Sequence, residues 1–293
     1  MALPGPLKGS EGGRPRDMRL FGSQNRPLCR MFNSADGLTD PRRRAFSRPG
    51  EAKAEKMTVQ RELEGRRAAI ADVKRLLRAA RVAALATLGR RGAPLTTWVG
   101  CASDFDGSPL FLLSQLAEHT RNLAADRRGS LLLVDAPGRG DPLNHPRVTL
   151  GGTIQPHFEP LARPRYLRRN PKAKLYAAFA DFAIYRLSVE TVHFNGGFGR
   201  AAPLEPADIL SPPGDATALA AAEEKLLAEI NAPKGAITAW RASRRPAWRA
   251  VGLDVEGLDL AAGKATARVD FAASAFDPSS WRERLVDALA TAP

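Results

Sequence analysis

Cysteine is nearly absent: Cys29 and Cys101 are the two in 293 residues. They build no disulfide framework and no cysteine metal site, so a reducing, cytoplasmic compartment is the default. Long apolar runs are missing too. No stretch approaches the roughly 20 residues a membrane helix needs, and no membrane partner is expected. Aromatics are 6% of the chain and do not interleave with basic residues as a base-stacking platform would. Without a recognisable binding motif, nucleic acid is not the expected partner. No catalytic carboxylate pair, nucleophile elbow or zinc-ligand spacing occurs.

Positive charge is plentiful, at +13 net. Residues 1–56 hold 12 Lys/Arg and 6 Asp/Glu, residues 57–200 hold 22 and 12, and residues 201–293 hold 10 and 13. A basic central segment attracts phosphorylated small molecules as well as polymers. Residues 1–56 are rich in Gly, Pro, Ser and Arg with no apolar period, as in a disordered tail. A transit peptide is a second reading, opposed by the acidic residues. A third, which the helix soon after Met57 favours, is that the functional chain begins at that residue.

From Glu62 to Ala80 the spacing of Leu63, Ala68, Ile70, Val73, Leu76 and Leu77 predicts an amphipathic helix. Short β-like runs follow at Val82–Leu88, Leu95–Ala102, Leu110–Leu113, Ser130–Val134, Arg147–Ile154 and Ile184–Phe194, separated by Gly/Pro/Asp turns. Pro160–Phe182 reads as one or two helices. This order indicates an α+β fold with an antiparallel barrel or sandwich. A Pro-rich linker at 202–214 separates a small domain at 215–293. That domain is expected to hold a helix at Ala216–Asn231, strands near Ala236–Arg241, Arg249–Val255 and Ala265–Phe271, and a last helix with Asp277 as cap and Pro278 in its first position.

The most informative stretch is Ser114-Gln115-Leu116-Ala117-Glu118-His119-Thr120-Arg121-Asn122-Leu123, between two apolar strands. A strand that ends in a hydroxyl and opens a short helix can hold a phosphate, because the first helical N–H groups lack partners and hydroxyls and a guanidinium can complete the anion's bonds. The alternative is an ordinary capped surface helix.

Together with Ala84-Leu85-Ala86-Thr87-Leu88, Gly92-Ala93-Pro94, Asp141-Pro142-Leu143, Arg147–Gly152, Arg165-Tyr166-Leu167, Asp181-Phe182 and Gly196–Ala201, this stretch resembles the pyridoxamine 5'-phosphate oxidase-like family of FMN-binding split barrels, specifically its haem-utilisation branch. The ordered matches cover about residues 70–201. Residues 215–291 resemble the small α+β domain often attached there, through Val251–Leu260 and Arg268–Phe271. The resemblance implies an antiparallel split β-barrel with flanking helices over 57–201, and a homodimer binding FMN at its interface. It implies redox chemistry on an unidentified small molecule. A haem-utilisation or haem-degrading protein and a non-catalytic dimeric binding module are the alternatives.

By position, Thr96, Thr97, Trp98 and Val99 would run beside the flavin, with Leu113 and Ser114 continuing that wall. His119, Thr120 and Arg121 would face the phosphate, Asn122 would support the loop, and Arg147 would approach from the partner chain. Gly197, Phe198 and Gly199 would allow close backbone approach to the ring. His119-Thr120 stands where better-known relatives carry Arg-Lys, which predicts a phosphate affinity that is weaker or that titrates with His119 near neutral pH. No catalytic acid or base is assigned.

Other residues have plainer expectations. His145 and His157 read as exposed loop residues, and His193 as either facing the cleft or satisfied in the core. Trp98 would as readily be core, Cys101 a buried small residue, and Arg165, Arg168 and Arg169 a solvated helix face. A haem iron needs a ligand such as His, Met, Cys or Tyr. The chain holds none of these after His193, so no such ligand comes from the C-terminal domain.

Overall fold

The computed structural model describes residues 49–135, 140–197, 200–212, 214–237 and 247–291. Eight antiparallel strands form the first sheet: β1 (Val82–Leu88), β2 (Pro94–Gly100), β3 (Ala102–Ser103), β4 (Pro109–Ser114), β5 (Arg128–Val134), β6 (Arg147–Pro156), β7 (Phe182–Asn195) and β8 (Ala201–Leu204). Their order is β2-β1-β5-β6-β7-β4-β3, with β8 beside β7. Strand β7 carries the split, pairing with β4 over Phe182–Arg186 and with β8 over Val192–Asn195. Between these halves Glu190 is an extra residue without a partner on β6. Such a bulge bends its strand. Only glycine fits opposite it, because a Cβ on Gly152 would lie 2.0 Å from the Ser188 carbonyl oxygen. The sheet curls into a split barrel.

The barrel interior is filled by one residue in two along each strand, as the pleat requires. Leu85, Val99, Phe111, Leu113, Leu131, Leu133, Val148, Leu150, Leu187 and Phe194 are all buried there. Helix α1 (Pro49–Ala79) adds Ala69, Val73, Leu76 and Leu77 to this core. It starts at Pro49 rather than Glu62; its earlier turns leave Met57, Val59 and Leu63 exposed, so they give no apolar stripe to read. Strand β4 is apolar throughout because it is covered twice. Phe111 and Leu113 face the barrel, while Leu110 and Leu112 pack under Ala162 and Tyr166 of helix α3 (Ala162–Arg169). Helix α2 (Glu118–Ala125) links β4 to β5.

The Pro-rich stretch 202–214 is built into the barrel. It includes the end of β8 and one turn of helix, α4 (Pro206–Ile209), whose Ile209 joins the barrel core. Beyond it, helix α5 (Thr217–Asn231), strands β9 (Arg249–Asp254), β10 (Gly257–Ala262) and β11 (Ala265–Asp270), and helix α6 (Pro278–Thr291) enclose a second core around Trp281, Leu253, Leu258 and Leu260. Asp277 caps α6, its Oδ1 accepting from the N–H groups of Ser279 and Ser280. The strand expected near Ala236–Arg241 is not found in the part described: residues 236 and 237 are helical, and the rest lies outside the described residues.

Of the three arginines expected on a solvated face, Arg165 and Arg169 are instead buried and Arg168 is half-buried. Arg165 is 4% and Arg169 6% exposed. Arg165 pairs with Glu223 of α5 and donates to the carbonyls of Ser103 and Leu253, both at 2.9 Å. Arg168 reaches Glu223 at 2.6 Å. Nearby, Asp254 is fully buried between Arg78 of α1 (3.2 Å) and Arg268 of β11 (2.8 Å), and Arg268 also pairs with Asp259 (2.8 Å). Charge that looked like a surface stripe therefore forms a seam between barrel and C-terminal domain.

Candidate functional site

The loop from β4 into α2 is held from below. The Ser114 hydroxyl donates to the Asp181 carboxylate and accepts from the Leu116 N–H, and the Asp181 carbonyl accepts from the Gln115 N–H. Helix α2 then starts after Ala117, whose side chain can cap nothing. The Glu118 and His119 N–H groups have no intrahelical acceptor at such a start. Asn122, buried, donates to Thr87 Oγ1 at 3.2 Å and ties the helix to β1. Arg121 lies exposed against Glu118 (2.6 Å) and the Leu116 carbonyl (3.0 Å).

Two adjacent side chains in this pocket carry unmet polar atoms. Thr120 is buried, and among the described residues its Oγ1 has no hydrogen-bond partner; neither has the buried Nε2 of His119. His119 Nδ1 lies 3.2 Å from Thr97 Oγ1. With Thr97 donating, the ring hydrogen sits on Nε2 and has no acceptor. Burial holds the imidazole below its ordinary pKa and favours the neutral form. An oxyanion drawn into this turn would meet a ring N–H, a hydroxyl and the α2 amide end. Unmet buried polar groups cost about 1–3 kcal/mol each. A bound phosphate would remove that cost.

The expected flavin wall divides between two faces. Thr97 and Val99 turn inward on β2; Thr96 and Trp98 turn outward. Leu113 is inside the barrel core, and Ser114 is engaged with Asp181, so neither lies beside β2's outward pair. Strand β2 is an edge with one neighbour, β1, and its other edge has free backbone groups. Trp98 is 71% exposed, contrary to the core expectation. Opposed residues in antiparallel strands share a face, and the pairing places Trp98, Ala84, Leu132, Thr149 and His193 in one outward row across β2, β1, β5, β6 and β7. Four strand steps of roughly 4.8 Å make that row about 19 Å long.

His193 is exposed on this face, not buried in the core. Arg147 and Val134 oppose one another two residues along from Thr149 and Leu132, on the same side. Arg147 donates to the carbonyl of Leu143 at 2.8 Å. Gly197, with φ +109°, uses its freedom against the chain itself: a Cβ would meet the Asn144 carbonyl oxygen at 2.7 Å. Phe198 and Gly199 lie outside the described residues. His157 is not an exposed loop residue; its side chain is 20% exposed and pairs with Asp104 at 3.3 Å. Cys101 is buried as expected, and burial pushes its thiol up to about 12, which rules it out as a nucleophile at neutral pH.

The outward row escaped sequence reading, although a signal existed. Leu131-Leu132-Leu133-Val134 has no polar alternation, as expected of a strand covered on both faces; Leu131 and Leu133 fill the barrel, while Leu132 and Val134 are exposed. Asp181 was visible as part of a motif, but not its grip on Ser114.

A curled antiparallel half-barrel with flanking helices and a second small sheet defines a split-barrel protein of the α+β class. The profile of the Pyridoxamine 5'-phosphate oxidase family matches residues 69–196. A crystal structure of an Agrobacterium tumefaciens protein of unknown function is 34% identical, with a TM-score of 0.65, over 76% of this chain and 94% of that one. A heme binding protein from Mycobacterium smegmatis is 27% identical over 76% of this chain and 96% of that one, with a TM-score of 0.47. The Arabidopsis thaliana protein "Non-canonical heme oxygenase HOZ, chloroplastic" is 30% identical over 145 residues, which is 48% of this chain and 44% of that relative. The match thus spans less than half of the curated relative's length. The chain belongs to the pyridoxamine 5'-phosphate oxidase-like split-barrel family. Among the described residues no helix is long and apolar enough to cross a membrane, and no group of three or more His, Cys, Asp or Glu could hold a metal ion.

Proposed function

We propose that this protein binds haem as a homodimer and serves in haem utilisation, with the outward face of β2, β1, β5, β6 and β7 as the binding platform. The observation that carries this reading is the row ending in exposed His193, in register with Trp98 and Leu132 and beside Arg147 and Val134. A haem site needs a broad apolar surface, a side-chain ligand for iron and cations for two carboxylates. Trp98, Leu132, Val134 and Val82 supply exposed apolar surface. Among the described residues the His193 imidazole has no side-chain hydrogen bond, and the Arg147 guanidinium is held only by backbone carbonyls of its own loop. Similarity to a haem oxygenase over 145 residues supports the reading. A second copy of the chain is the fitting cover for so large an apolar face. Bound haem would supply iron redox chemistry. The protein would ligate the iron through His193, orient the carboxylates through Arg147 and exclude water with Trp98 and Leu132.

A second reading has its own observation. The unmet His119 Nε2 and Thr120 Oγ1 suit the phosphate of FMN, with the open edge of β2 at Thr96–Val99 beside the ring; the protein would then act as a flavin-dependent oxidoreductase on a small molecule. Visible spectra of the full chain separate the two. Haemin titration should give a sharp Soret shift that His193→Ala weakens at least tenfold and His145→Ala leaves unchanged. No shift, or one indifferent to His193→Ala, overturns the haem reading. Retention of yellow FMN after excess is removed, lost in His119→Ala, would favour the second reading. A protein that takes up neither would be a binding module for other anions.

A further inference from the structure

Away from both surfaces, α3 and the turn after it face α5, β9 and β10 across a cleft of about 570 Å³. Arg81, Arg168, Arg169, Lys174 and Arg249 line it, against one lining carboxylate, Glu224. Two of these cations are already occupied: Arg81 donates to the Gly263 carbonyl at 2.6 Å, and Arg168 pairs with Glu223. Lys174 and Arg249 have no side-chain partner among the described residues, and both are exposed. Arg169 is the telling one. It is 6% exposed, its Nη2 donates to the Arg78 carbonyl, and its Nη1 has no hydrogen-bond partner among the described residues. Burial lowers its pKa, Asp259 opposes that, and nearby Arg81 lowers it further, so an added anion would be welcome.

We propose that this cleft is a binding site for a small organic anion, a phosphate or carboxylate group on an apolar body. Arg169 Nη1 would anchor the anion from below, Lys174 and Arg249 would close on it from the rim, and Leu167, Leu227 and Val251 would contact the apolar part. A buried guanidinium with a free donor is a costly arrangement that an anionic ligand corrects. The site joins barrel to C-terminal domain, so its ligand stabilises their contact. It is independent of the haem and FMN surfaces.

Phenyl phosphate and inorganic phosphate, titrated calorimetrically into the full chain, test this. Phenyl phosphate should bind more tightly than inorganic phosphate by about tenfold, the gain expected from burying part of a ring. The double variant K174E/R249E alters only exposed, unpaired side chains and should fold normally, yet lose at least tenfold in affinity for phenyl phosphate. Thr120→Val should leave this binding unchanged. Binding lost in Thr120→Val but kept in K174E/R249E would assign the anion to the α2 pocket and overturn the proposal. So would no binding at millimolar concentrations, or equal affinity for the two probes.

Discussion

The seam between barrel and C-terminal domain and the pocket at the start of α2 both bury polar groups, yet they satisfy them differently. In the seam, the Asp254 carboxylate meets Arg78 and Arg268, and Glu223 meets Arg165 and Arg168. Several seam atoms lack a well-aligned hydrogen bond, among them Asp254 Oδ2 and Arg168 Nη2, but each sits within ion-pair distance of an opposite charge. His157 Nε2 and Arg186 Nε are in the same position near Asp104. Set those four aside, and the unmet buried side-chain atoms among the described residues are His119 Nε2, Thr120 Oγ1 and Arg169 Nη1. Arg169 lines the cleft between α3 and α5, and the other two sit at the turn that opens α2. Charges that close on one another hold the fold; polar atoms left open point to a ligand.

The strongest test removes a seam carboxylate. Asp254→Ala leaves Arg78 and Arg268 buried without their shared partner, and breaking a buried pair this way costs about 3–5 kcal/mol. Urea unfolding of the variant measures it; a loss below about 1 kcal/mol would make the seam no stronger than surface pairing. A pH signature accompanies it. Burial alone would raise the Asp254 pKa, but Arg268 and Arg78 outweigh that and hold the carboxyl well below the usual range. Its contribution is therefore fully present above the unfolded value of about 3.9 and is lost as pH falls through the lower folded value. Wild-type stability should fall more steeply than that of Asp254→Asn below pH 4.

A smaller effect of opposite sign is expected at the α2 pocket. Thr120→Val replaces an unmet buried hydroxyl by a methyl of similar shape, which should raise stability of the ligand-free protein by about 1 kcal/mol. If the flavin reading holds, the same change should weaken FMN binding by about tenfold, because one donor to the phosphate would be gone. Thermal unfolding and fluorescence titration read the two quantities. A destabilised variant would show that Thr120 Oγ1 is satisfied in solution and that the contrast between seam and pocket fails there.

The barrel was legible because its strands alternate or run apolar between clear turns, and the pocket because Ser114–Leu123 concentrates its groups in ten residues. The seam was not. Arg165, Arg168 and Arg169 look like any basic helix face until Glu223, 58 positions from Arg165, is folded against them. Distant pairing has no local period. The outward row failed for a related reason: Trp98, Leu132 and His193 are single residues on three strands, brought into register only by the sheet. Helix α4 was hidden by prolines, which suggested a linker, although Pro206 in a first turn favours a helix start and Glu205 with Asp208 forms a capping box.

The smallest expected effect on stability belongs to the outward row, and it sharpens the comparison most. Trp98 is mostly exposed in the single chain, so Trp98→Ser should change its stability by no more than about 0.5 kcal/mol, as for other surface substitutions. If a second copy covers this face, the same change removes an aromatic anchor of the kind that dominates interfaces, and about 2 kcal/mol of association would be lost. Dimer dissociation should then move by more than tenfold while the unfolding of the isolated chain stays put. Analytical ultracentrifugation over a range of concentrations separates these quantities. A variant that unfolds more readily but associates as before would place Trp98 in the fold's own packing. The exposed row would then have no claim to a partner, and the haem platform would lose its cover.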